Sequence, residues 1–146
     1  MLVIHSYLRY IVLFFIIASI VKSIIGIKND IKYTDNDKKL NSLAVIFSHL
    51  QLLIGLYLYF TSPTVKIALE NMAEAMKSKE LRFWSVEHIS MMIIAITLIT
   101  VGNAMAKRVN DSKAKYKKIL IFFTLALIII FIAIPWPWSA VSRQPF

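Results

Sequence analysis

The 146-residue chain has no cysteine, three glycines, four prolines, and 17 lysines and arginines against eight acidic residues. Without cysteine there is no disulfide framework, no thiolate metal site and no cysteine nucleophile. The glycines, Gly26, Gly55 and Gly102, stand alone, which excludes a glycine-rich phosphate loop. Aspartate occurs only at positions 30, 35, 37 and 111, inside two polar connections, so it cannot complete a serine–histidine–aspartate arrangement elsewhere. Polar residues of every kind are missing from long stretches, and this shortage defines the chain.

What is present is apolar surface in blocks. Apolar residues make up 58% of the sequence, above the level of a soluble domain. One block runs from Leu2 to Ile27 and is interrupted by His5, Arg9 and Lys22. A second, Leu40 to Phe60, has no formal charge; a third, Phe83 to Ala106, has only Glu87; a fourth, Ile119 to Trp138, has none. Each can cross a hydrocarbon layer of about 30 Å at about 1.5 Å per helical residue. Unpaired strand edges cannot sit in lipid, so the blocks read as helices. The expected fold is all-α: an integral membrane up-down-up-down four-helix bundle forming a single domain over residues 1–146. The segment Val65 to Met76, between spans two and three, has helical periodicity and mixed charge and predicts a short interfacial helix. Gly26 is placed to cap the first helix. The start, MLVIHSYLRY, lacks a basic leader and a small-residue cleavage site, so it reads as a retained span and not a signal peptide.

The net charge of +9 follows the topology and does not call for nucleic acid. Eleven of the 17 cations lie at the end holding the first and third connections; Arg9, Lys66, Lys77, Lys79, Arg82 and Arg143 lie at the other. The positive-inside rule then predicts a cytoplasmic-membrane protein with both termini on the periplasmic side. Aromatic residues, among them Tyr57, Trp84 and Trp136, gather at that outer boundary as anchors.

Ionisable residues within spans are costly and mark function. Here they are His5, Arg9, His49, Glu87 and His88. Counting from the outer boundary, His5 is about 5 Å deep, His88 about 8 Å and His49 about 16 Å. His5 and His88 therefore share a level on helices expected to lie diagonally across the bundle, where two imidazoles can approach one haem iron from opposite faces. Arg9 is one turn deeper on the His5 face, able to hold a haem propionate or to pair with Glu87. Glu87 and His88 diverge by about 100° around their helix, so both cannot face the core centre. Plainer roles compete: a solvated His5, a His49 bonded to a backbone carbonyl, a structural Arg9–Glu87 ion pair. Met91 and Met92 suit core or lipid contact better than copper. PWPW, Pro135 to Trp138, suits a helix end with interfacial anchors.

Four motifs also carry a family resemblance: HSYLRY (His5 to Tyr10), SHLQLLIGLYLYFTSP (Ser48 to Pro63), RFWSVEHISMM (Arg82 to Met92) and IPWPW near the end. Over essentially its full length the chain resembles a family of small four-span membrane proteins from Bacteroidota labelled cytochrome B. The family's histidines correspond to His5, His49 and His88, with Arg9 and Glu87 in the same motifs. Where the family often has proline after the Glu-His pair, this chain has Ile89, a difference that bears on backbone more than chemistry. The resemblance implies a haem protein.

Together these readings predict a membrane-embedded b-type haem protein, an electron-transfer subunit more than a stand-alone enzyme. His5 and His88 would be its axial ligands, Arg9 a propionate partner, and His49 a rival ligand or a site for a quinone. Expected partners are the lipid bilayer and other membrane subunits or a redox partner, with no nucleic acid. The alternatives are a non-enzymatic accessory subunit of a larger membrane complex, or a small proton or metal-ion conduit.

Overall fold

Long runs of leucine, isoleucine and phenylalanine, free of proline, give long helices. The computed structural model describes residues 1–136, 138, 139 and 141, and every regular element among them is helical. In chain order these are α1 (Leu2–Lys28), α2 (Asp35–Thr61), α3 (Pro63–Glu70), α4 (Met72–Ala75), α5 (Lys79–Arg82), a π-helical turn (Phe83–Glu87), α6 (His88–Arg108) and α7 (Ser112–Ala133). Four stretches are long and apolar enough to cross a membrane: α1, α2, the continuous run Lys79–Arg108, and α7. Arg143, counted above among the outer cations, lies outside the described residues.

The helix ends follow local chemistry. Thr34 opens α2, its backbone N–H and its hydroxyl both donating to Asp37 Oδ2 at 2.8 Å. Asp111 caps α7 by accepting from the Ala114 N–H at 2.7 Å. At the far end of α7, Ile134 precedes Pro135 and adopts the extended backbone that a following proline imposes (φ −71°, ψ 126°). Gly26 does not end α1. The helix runs on to Lys28, and the chain reverses where Asp30 takes a positive φ of 51°. The helix expected over Val65 to Met76 is two pieces, α3 and α4, broken at Asn71, whose side chain caps α4 by accepting from the Glu74 N–H.

α1 packs on α2 and α7, and α6 packs on the same two helices, so α1 and α6 occupy opposite corners. Ile16, Ala44, Ile99, Ile119 and Phe123 are fully buried at the centre. Two glycines allow close approach: a Cβ on Gly26 would overlap the Tyr116 ring, and one on Gly102 would overlap Phe122. Outside the core the sides stay apolar and open, with Phe14 65%, Leu53 63% and Ile132 67% exposed. That much exposed hydrocarbon suits a lipid environment.

The basic end is closed by a buried polar cluster. Asp37, 3% exposed, accepts from the Tyr116 hydroxyl at 3.0 Å in addition to its two bonds from Thr34, and Lys22 Nζ lies 3.8 Å from its other oxygen. Beside it Asn41 donates to the Tyr33 hydroxyl at 2.8 Å, and the Tyr33 N–H donates to Ser112 Oγ at 3.0 Å. These bonds tie α1, α2, α7 and the connection between α1 and α2 together.

Candidate functional site

The site lies at the opposite end, where a cavity of about 350 Å³ opens between α1, α2, α6 and α7. His5 from α1 and His88 from the start of α6 both line it. Their ring centroids are 6.5 Å apart with the ring planes at 67°. Two residues 83 positions apart in sequence thus meet because their helices face each other diagonally.

Each ring is seated by neighbours. On α2, Gly55 leaves room for His5: a Cβ there would stand 3.2 Å from His5 Cε1, closer than ordinary contact. Gln51, one turn away on the same face, donates its Nε2–H to the His5 backbone carbonyl at 2.9 Å. His88 rests against Phe83 and Trp84, each with its ring centroid 5.7 Å away. His88 Nδ1 is 2.8 Å from the Ala133 carbonyl. A carbonyl only accepts, so Nδ1 carries the proton and Nε2 keeps its lone pair, the state in which a histidine binds a metal. Ala133 sits in the last turn of α7, where carbonyls lack helical partners, so one contact satisfies both groups.

The π-turn sets this geometry. In an α-helix residues five apart are about 140° apart around the axis, while a π-turn bonds residue i to i+5 and brings them to one side. Arg82 and Glu87 accordingly pair, Nε to Oε1 at 2.6 Å, and Arg82 also donates to the Met76 carbonyl at 2.8 Å. Glu87 therefore bonds Arg82, and the suggested Arg9–Glu87 pair does not form. The wider turn is braced by the Tyr59 hydroxyl of α2, which donates to the Ser85 carbonyl at 2.9 Å.

Arg9 lines the cavity without a carboxylate partner among the described residues; its Nη2 donates to the neighbouring Tyr10 hydroxyl at 3.1 Å. His49 sits apart. It is exposed on the outer face of α2, with Nδ1–H donating to the Val45 carbonyl one turn back at 2.8 Å, and it does not line the cavity.

The cavity also takes in Ser48, Gln51 and Gly55, to which no chemical motif in the sequence assigns a role. Their spacing of three and four residues puts them on one face of α2, a small and polar stripe in an otherwise apolar helix that could have marked them. The π-turn and the Ala133 carbonyl left no comparable signal.

What the donor set can hold follows from these distances. Metal–imidazole bonds of about 2 Å on either side of one ion put the two ring centroids about 6 to 6.5 Å apart. The observed 6.5 Å fits that spacing. Among the described residues no group of three or more histidines, cysteines and carboxylates is placed to hold a metal ion, and the cavity brings together two imidazoles. A bare zinc ion needs three or four protein ligands, whereas a haem iron brings its own equatorial four. Five cavity-lining atoms are buried without hydrogen-bond partners: His5 Nδ1, Arg9 Nε, Ser48 Oγ, Gln51 Oε1 and Ser62 Oγ. Such atoms are costly unless something polar meets them. The imidazole spacing and the unmet polar atoms are features that a haem could use. Comparison with family models, with characterised proteins and with solved structures returns no match to this chain.

Proposed function

We propose that the chain is a membrane-embedded b-type haem protein that passes electrons, with His5 and His88 as the axial ligands. The observation that carries this reading is the imidazole pair, 6.5 Å apart across the bundle, with the His88 tautomer fixed for ligation. The haem would supply a one-electron couple held inside an apolar protein. The chain's own residues do the rest. Gly55 and Gln51 hold α1 so that His5 enters the cavity, Ala133 orients His88, and Phe83 and Trp84 shield the ring from lipid and water. In this reading the four long helices cross the cytoplasmic membrane in up-down-up-down order with the cavity near the outer face, and α3 and α4 lie at the interface. The electron's source and destination are other membrane subunits or a soluble redox partner.

The accessory-subunit reading accounts for the apolar sides but gives the imidazole pair no task. A proton conduit would need polar groups along its length. Between the histidine cavity and the Asp37 cluster the buried residues are mostly apolar, among them Ile16, Ala44, Ile99 and Phe123, with Ser19, Ser23 and Asn103 as separate polar members.

The direct test is optical. Protein purified from cells supplied with ample haem is expected to show a Soret band and, on adding dithionite, sharpened α and β bands. A colourless, fully helical preparation overturns the proposal. A second test keeps both histidines. Gly55→Leu fills the seat of the His5 ring, and haem occupancy per chain should fall at least about tenfold, the scale of a lost orienting contact at a metal ligand. Pyridine haemochrome assay against protein concentration measures it, and unchanged occupancy would show that His5 does not need this seat.

A further inference from the structure

Beyond the imidazole pair, the same cavity holds a second set of polar atoms that ligation leaves unused. Arg9 is a permanent cation within α1, and its Nε–H is buried without an acceptor. Ser48 on α2 is fully buried, and its hydroxyl is also unpartnered. Gln51 spends its amide N–H on the His5 carbonyl, which leaves Oε1 as an unpaired acceptor. All three side chains line the cavity. Contacts between α1 and α2 place Gly55 at His5, so Gln51 and Ser48, progressively farther along α2, come level with the turn of α1 that follows His5 and begins at Arg9. Glu87, the carboxylate that lies within a span, is engaged by Arg82.

We infer that Arg9, Ser48 and Gln51 form a carboxyl-binding subsite on the α1–α2 wall, deeper in the bundle than the imidazole pair. Arg9 and Ser48 donate to the carboxylate oxygens, and Gln51 Oε1 accepts the acid's own proton when the group is neutral. The subsite thus suits a carboxyl group in either protonation state. A cation inside an apolar span is costly alone and is stabilised by an anion that arrives with the ligand. Two sources have this chemistry: a haem propionate, which rests on the function proposed above, and the carboxylate of a fatty acid from the bilayer, which does not. If the first holds, Arg9 would hold a haem propionate, and its positive charge would favour the reduced, less positively charged iron and so raise the reduction potential, an effect read directly by potentiometry.

The experiment compares wild type with Arg9→Met, a substitution of similar length without charge, in full-length protein in detergent. Haem and haem dimethyl ester, which has no free carboxyl, are titrated into haem-free protein; dodecanoate and dodecanol are titrated in parallel by calorimetry. Wild type is expected to prefer haem over its ester by about tenfold or more, the size of one charge-assisted hydrogen bond, and Arg9→Met to lose that preference while still binding the ester. If haem and ester bind alike but dodecanoate binds better than dodecanol only in wild type, the subsite stands with a lipid source. If neither preference depends on Arg9, the inference is overturned. Absence of any haem binding by wild type counts against the proposed function alone, because the dodecanoate comparison still decides the subsite. Ser48→Ala, with a smaller loss of the same preference, distinguishes direct contact from a general effect of charge.

Discussion

His88→Ala and His5→Ala should each abolish the Soret band, while His49→Ala should leave it at the wild-type level. The two cavity histidines lie 6.5 Å apart at the centroids, whereas His49 faces away from the cavity and is bonded within its own helix. Loss of an axial nitrogen is expected to weaken haem affinity by at least about 100-fold, since even losing a residue that only orients a ligand costs about 10- to 100-fold. Removal of His88 also leaves the Ala133 carbonyl without its donor, so some instability accompanies the spectral loss. Two controls separate these effects. Circular dichroism should show retained helix, and added imidazole should restore part of the band in His88→Ala by filling the space the side chain vacates. His88→Met should keep a coordinated iron with a shifted spectrum and a higher potential, because thioether ligation raises it. A spectrum lost only in His49→Ala would show that the pairing of ligands proposed here is wrong.

The second large effect concerns stability at the opposite end. Asp37→Ala should destabilise the fold by about 2–4 kcal/mol, because it strips the Tyr116 hydroxyl and the Thr34 N–H and hydroxyl of their shared acceptor in a buried place. Tyr116→Phe should cost about 1 kcal/mol, since Asp37 then keeps its Thr34 bonds. The double substitution should cost less than the sum, because both singles break the same contact. Unfolding in mixed micelles with increasing denaturing detergent, followed by loss of helix, measures all three. Additive effects would mean that the 3.0 Å contact contributes little. The haem spectrum of any folded fraction should be unchanged, since Ile16, Ile99 and Phe123 separate the two ends.

Much of this architecture was legible in the chain itself. Lipid-length apolar runs leave helices as the only way to satisfy the backbone, so the four long helices could be read from hydropathy alone. Counting 1.5 Å per residue along those helices was enough to put His5 and His88 at one height, because rise per residue does not depend on tertiary context. Rotation about the helix axis is another matter. All four helices are apolar around much of their circumference, so the sequence carries little information on which face turns inward. That choice fell to packing: His49 turned outward, Ser48 and Gln51 turned inward, and Gly55 became the seat of His5. Glu87 was decided the same way. Its partner is Arg82 because a π-turn brings residues five apart to one side, and here the Tyr59 hydroxyl of α2 bonds the Ser85 carbonyl of that turn. Gly26, suggestive of a helix cap in isolation, instead admits the Tyr116 ring from α7, a contact between residues 90 positions apart that no local pattern encodes. Composition and helical rise thus determined what the elements are and how far along each helix its polar groups lie. Only the folded bundle determined which of those groups face one another, because side-chain direction is settled by the neighbours each helix finds.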